Sequence, residues 1–335
     1  MSVGAAAVLA GASGCAVVPR YHPLQPALPM IGLGSAEAPD REAMAAAVVA
    51  ACKSGVKLID TAQNYGSEAA VGEGLRHSGE EATTSMFTLC KVDLATAAFE
   101  DPAERMRRQV LSTCSNLGVS KISAAVIHWP ICLDASANEG ETKAVRKAAW
   151  QELERLHDEG IVGCLGVSNW TPCLLDELIE FARVPPTLNE IELSPACGRA
   201  QLEVVAECQS RGVACVAYSP YGRCWLAKYF SDFVPWGVTD LTQNSVVKAV
   251  AAEIGCDAST VLLRWALQQN VAVIPKSLQA ERVAQSMLAL KDEFSLSDEQ
   301  ISRLMGLADE RRGVEASIDA HQRIIASPGY KWQPT

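Results

Sequence analysis

A chain of 335 residues, 49% of them hydrophobic, can bury a sizeable core either as two ordinary domains or as one large α/β barrel. Its net charge of −10 opposes nucleic-acid backbones and anionic membrane surfaces, so a bound anion needs a local basic pocket. The twelve cysteines include no CxxC pair, which argues against a zinc ribbon, a thioredoxin-type motif or a small disulfide scaffold and fits reduced, mostly buried thiols in a cytoplasmic protein.

The start, residues 1–14, is apolar and rich in Ala and Gly but lacks the positive stretch of a signal segment; it is expected to be a poorly ordered extension to a single domain over 15–335. No run approaches the ~20 apolar residues of a membrane span. CAVVPRYHPLQPAL at 15–28 is short, apolar and broken by proline, which suits a hairpin closing the bottom of a barrel. From residue 30, short apolar runs alternate with helical patterns in the rhythm of βα units around a parallel sheet. The expected strands are MIGLG (30–34), VKLID (56–60), MFTLCKV (86–92), SAAVIHW (123–129), VGCLGVS (162–168), TLNEIEL (187–193), VACVAYS (213–219) and VAVIPKS (271–277).

The helices between them have legible ends. An Ala-rich helix over 41–54 stops at Gly55, and another over 143–159 stops at Gly160. Asp101, Pro102 and Glu104 supply an N-cap, a first-turn proline and a capping-box partner, with Asn116-Leu117-Gly118 as the stop. Thr171-Pro172 opens another helix, and Ser297 with Gln300 a further one, with Leu296 and Ile301 placed for a hydrophobic staple. Neither GLGSAEAPD nor VGEGLRHSG has the GxGxxG spacing of a nucleotide-binding open sheet. The expected architecture is therefore a (β/α)8 TIM barrel with long loops at its C-terminal face. Asp60, Lys91, His128, Ser168, Tyr218 and Lys276 all fall at C-terminal strand ends, where a barrel collects its functional residues. A long irregular stretch, 221–240, is rich in aromatics, including Trp225 and Trp236, and has the length of a functional loop.

Four phrases carry the chemistry: LIDTAQNY, LCKVD, VIHWP and VIPKS. A phenol with an ordinary pKa near ~10 gives up a proton poorly unless its ionised form is stabilised, and an ammonium does that. Tyr65 is the candidate acid, Lys91 the ammonium, Asp60 the carboxylate that holds Lys91, and His128 the donor that orients a carbonyl oxygen. Taken singly, a strand-end Asp is often a cap and a lone His a satisfied core residue; their joint placement on consecutive strand ends is what makes a site. Lys276, Ser277 and Arg282, at the end of the last strand and the start of the next helix, suit a phosphate. Cys90 beside Lys91 raises redox sensitivity, with simple packing the stronger reading.

The order and spacing of GLGS, LIDTAQNYGSE, CKVD, VIHWP, GVSNW, NEIELSP, AYSPYG and IPKSLQAER over roughly residues 30–307 resemble the aldo-keto reductase superfamily. The resemblance implies reduction of a small-molecule aldehyde or ketone by NADPH, with Asp60, Tyr65, Lys91 and His128 as the catalytic tetrad and no metal. It also implies that Ser168 and Asn169 hold the nicotinamide carboxamide, Tyr218 stacks on its ring, Ser219 meets the pyrophosphate, and Lys276, Ser277 and Arg282 grip the 2′-phosphate, with Ser35 and Asp60 on the same surface. Trp129 and Tyr221 are the implied substrate walls. Three departures from the pattern stand out: Glu190 stands where a glutamine usually grips the carboxamide, Gln285 and Ser286 replace a Glu-Asn pair near the adenine, and Ala36 replaces a tryptophan, leaving a roomier pocket. Two other readings share the sequence, an NADP(H)-binding regulatory protein without turnover and a dehydrogenase working mainly on alcohols. No nucleic acid, membrane or obligate protein partner is expected.

Overall fold

The computed structural model describes residues 28–36, 38, 40–94, 101–132, 137–222 and 240–308. The expected terminal extension, the hairpin save for Leu28, and Trp225 and Trp236 lie outside the described residues. Eight parallel strands run in chain order around one sheet: β1 Gly32–Gly34, β2 Leu58–Ala62, β3 Phe87–Val92, β4 Ile122–Ile127, β5 Val162–Ser168, β6 Leu188–Glu192, β7 Ala214–Tyr218 and β8 Ala272–Val273. A parallel bridge between Ile31 and Val273 joins the last strand to the first, reinforced by Val273 N donating to Met30 O (2.9 Å) and Gly34 N to Pro275 O (3.0 Å). This is the (β/α)8 barrel the alternation predicts.

The first and last strands are shorter than expected. Ile31 pairs only through its bridge to Val273, and Pro275, which has no N–H to give, stands in what was read as the body of the last strand.

Helices cover the outside: α1 Arg41–Lys53, α2 Glu68–Ser78, α3 Glu80–Ser85, α4 Pro102–Leu117, α5 Glu139–Asp158, α6 Pro172–Phe181, α7 Gly198–Ser210, α8 Ser245–Ile254, α9 Ala258–Leu267, α10 Ala280–Ser286 and α11 Asp298–Met305. The Asp101 carboxylate caps α4 by accepting from Ala103 N (2.8 Å) and Glu104 N (3.1 Å), and Gly118, with φ of 73°, ends it in the left-handed conformation. Ser297 and Gln300 form the expected capping box on α11. The fifth helix starts four residues earlier than its pattern suggested, because Asn138 and Glu141 form a capping box of their own.

Strand alternation sorts the sheet into two faces. Leu58, Phe87, Leu89, Ala124, Val126, Cys164, Leu188, Val216, Ala272 and Ile274 pack together inside the barrel. Their neighbours, among them Ile59, Cys90, Ala125, Leu165 and Ile191, face outward onto the helices. The interior is thus a plug of side chains, and whatever stands two residues beyond that plug on each strand points into the C-terminal mouth.

Candidate active site

That two-residue step builds the site. Leu58 leads to Asp60, Leu89 to Lys91, Val126 to His128, Leu188 to Glu190 and Val216 to Tyr218, so five strands each lift one polar side chain above the apolar plug. Asp60, Lys91 and Glu190 are 3%, 1% and 2% exposed, a depth at which charges persist only when paired. Lys91 Nζ bonds the Asp60 carboxylate and also lies 2.9 and 3.1 Å from the two oxygens of Glu190. A turn of 3-10 helix over Gln63–Tyr65 follows β2 and carries the phenol back over the mouth, where Lys91 Nζ sits 5.2 Å from the ring centre.

His128 meets the edge of Tyr65, with ring centres 5.7 Å apart and planes at 81°, and stacks on Trp129 at 5.9 Å. Its Nδ1 lies 3.2 Å from Asp93 Oδ1 and 3.4 Å from the Asn64 amide nitrogen. Asn64 donating to Nδ1 leaves the ring proton on Nε2, the nitrogen that then donates to a substrate oxygen, whereas a proton on Nδ1 shared with Asp93 makes Nε2 of the neutral ring an acceptor. Asp93 is held in turn by Gln109, whose side chain accepts from Asp93 N (3.0 Å) and donates to Asp93 O (2.8 Å). Asp93 was missed in the sequence; the signal was there in CKVD, where it stands two positions after Lys91 and so on the same strand face.

The electrostatics differ from the simple expectation that an ammonium lowers the phenol. Burial pushes Tyr65 above its usual range; Lys91 pulls it down by charge and hydrogen bond, while Asp60 and Glu190 push it up again. Burial also raises Asp60 against the pull of Lys91. Glu190 rises to about 8, from burial first and the Asp60 charge second, with Lys91 opposing. Lys91, despite the cost of its burial, is held well above its ordinary value by the two carboxylates. Cys90, buried on the outer face, is pushed well up by burial and has the character of a packed thiol.

The remaining expected residues form two groups. Ser168 Oγ donates to Glu190 O (3.0 Å), Asn169 Nδ2 donates to His128 O (3.1 Å) and Ser168 Oγ (3.0 Å), and Tyr218 OH donates to Asn169 Oδ1 (2.9 Å). Asn169 and Ser219 take the left-handed conformation, with φ of 64° and 50°, an arrangement rare away from glycine and concentrated at functional sites. Ser35 is fully buried at the end of β1 and accepts from Ser67 Oγ (2.9 Å). Beside this mouth a cavity of about 580 Å³ is lined by Leu33, Tyr221, Lys276, Ser277, Arg282 and Gln285 among others. Tyr221, read as a substrate wall, therefore lies with the basic group, while Trp129 stays with His128. Gln285 reaches across the cavity to the Asp257 carboxylate. No cluster of His, Cys, Asp and Glu suited to a metal occurs among the described residues.

A parallel eight-stranded barrel with an Asp–Lys–Tyr–His mouth and an adjoining basic cavity is the form of a nicotinamide-dependent oxidoreductase. The Aldo/keto reductase family matches residues 30–309, and the chain belongs to that family. It is 30% identical over 315 residues to a D-galacturonate reductase of Fragaria ananassa, covering 89% of this chain and 92% of that one. It is 32% identical over 277 residues to a morphine 6-dehydrogenase of Pseudomonas putida, covering 83% and 86%. The aldose reductase of Schistosoma japonicum superposes with a TM-score of 0.70 at 26% identity, over 85% of this chain and 91% of that one. No described helix is long and apolar enough to cross a membrane.

Proposed function

We propose that the protein reduces aldehydes or ketones to alcohols with NADPH, using Tyr65 as the general acid. The observation that carries this reading is the meeting of Tyr65, Lys91 and His128 at one mouth, with Asp60 beneath and a basic-lined cavity alongside. The residues fit the cofactor. Lys276 and Arg282 supply cations for a phosphate on a chain whose net charge otherwise repels one, with Ser277 beside them. Below this group, Gly34 lets β1 lie close against the chain leaving β8: a Cβ there would come within 2.9 Å of Ile274 O. Ser168, Asn169, Tyr218 and Ser35 would hold the nicotinamide end and Ser219 the pyrophosphate, with Glu190 beneath and Gln285 toward the adenine.

Bound there, the nicotinamide ring supplies the hydride. The side chains do the rest. His128 Nε2 and the Tyr65 hydroxyl orient the carbonyl oxygen, and Tyr65 passes its proton to that oxygen as negative charge develops. Lys91, fixed by Asp60, takes up the charge left on the phenol. Trp129 backs His128, and Ala36, small where a tryptophan is usual, leaves room for the substrate. The Lys276–Ser277–Arg282 group, suited to a 2′-phosphate, supports NADPH over NADH. The ten described cysteines are free thiols, which supports a reducing, cytoplasmic setting.

The test is loss of NADPH absorbance with a panel of aromatic, aliphatic and sugar aldehydes, with NADH in parallel and Tyr65→Phe as control. We expect turnover that falls by at least about a hundredfold in the variant, the lower end of general acid catalysis, with NADPH affinity retained. Full activity in Tyr65→Phe removes it as the acid. NADPH binding without turnover on any carbonyl points to a regulatory protein instead.

A further inference from the structure

Lys91 carries two buried carboxylates where the proposed chemistry needs one. Asp60 reaches it from β2, on the neighbouring strand, and Glu190 reaches it from β6 across the mouth, with both oxygens within 3.1 Å of Nζ. The charged and titratable groups facing Glu190 are Asp60, Lys91 and Tyr65, and His128 acts on Asp60 from β4. Its partners in register, Ser168 on β5 and Val216 on β7, are uncharged. A glutamine at this position would keep the shape of the side chain without the charge.

The consequence for the phenol is electrostatic. A lone ammonium beside Tyr65 favours the phenolate, and an Asp60–Lys91 pair is neutral overall. Adding an ionised Glu190 gives the group one net negative charge beside the phenol, in a pocket where water screens little. We propose that Glu190 is a second counter-ion of Lys91 that keeps Tyr65 protonated, and so able to donate, to higher pH than the Asp60–Lys91 pair alone would. The kinetic consequence rests on Tyr65 being the general acid; the electrostatic one does not.

Glu190 is held up to about 8 by burial and by Asp60, so its charge arrives as the solution turns alkaline, the range in which phenols begin to ionise. Loss of its proton then makes the next loss, from Tyr65, harder, which is the behaviour of coupled sites. Glu190 exchanges no proton with substrate in this scheme. It is a positioning residue that acts through Lys91.

The experiment compares wild type with Glu190→Gln as full chains, using a carbon-13 label on the tyrosine ζ carbons and Tyr65→Phe to assign the signal. In Glu190→Gln, Tyr65 is expected to titrate about one pH unit lower, the lower end of what a neighbouring charge does. The alkaline fall of kcat/KM for carbonyl reduction should move down by the same amount, leaving roughly tenfold less activity than wild type on the falling limb. A Tyr65 titration that does not move, or moves up, overturns the proposal. A moved titration in a protein that turns over no carbonyl leaves the counter-ion standing and removes the reductase reading. Should Glu190→Gln fail to fold, Glu190→Met, similar in length and uncharged, takes its place: the Tyr65 signal must again titrate lower than in wild type, and one that does not move overturns the proposal.

Discussion

Asp93 and Asn64 compete for His128 Nδ1: Asp93 accepts a proton there and Asn64 supplies one, and Nε2 of the neutral ring donates to a carbonyl oxygen only in the second case. Asn64→Leu, which removes that donor and leaves Asp93 to hold the proton on Nδ1, should therefore lower kcat for carbonyl reduction by about tenfold or more while leaving NADPH affinity unchanged. Nitrogen-15 signals of His128 would show the tautomer shift; an unchanged tautomer with full kcat would assign Asn64 to packing. The grouping of Asp60, Lys91, Tyr65 and His128 was legible because three of them stand at strand ends and Tyr65 in the turn that follows one, each in a recognisable phrase. The Glu190–Lys91 contact was not, because β3 and β6 are three strands apart and meet only once the sheet curls into a barrel.

The helices that brace the mouth owe their ends to single side chains. In α4 the Asp101 carboxylate satisfies two of the orphan N–H groups of the first turn, and the same helix carries Gln109, which grips Asp93 from outside the barrel. Asp101→Ala should destabilise the protein by about 1 kcal/mol in denaturant unfolding. Loss within error would show that the cap is replaced by water at no cost. Strand and helix order could be read from alternation and caps, since both are local. The lengths of β1 and β8 could not, because where a strand two or three residues long stops is defined by what its neighbours offer and not by its own pattern. Asn138 escaped notice for a similar reason: its Glu141 partner sits in a polar stretch, ANEGETK, with no apolar run beginning beside it.

For the molecule as a whole, the barrel is not equally closed all the way round. Five register pairs join β2 to β3, four join β3 to β4 and five join β6 to β7, but only two join β7 to β8, and β8 meets β1 through a single bridge and its flanking hydrogen bonds. That thin seam runs beneath the proposed cofactor cavity, with Ser35 beyond one lip and Lys276 and Ser277 beyond the other. A ligand spanning both lips would act as a clasp, and its binding energy would be spent partly on suppressing local opening of the ring. Amide exchange at Gly34 and Val273 should therefore slow on adding NADPH while amides in β3 and β4 hold their rates; equal protection everywhere would mean the ring opens only when the whole protein does. In that picture the empty protein is a hoop with a loose join, and the cofactor is the rivet that lets it carry load.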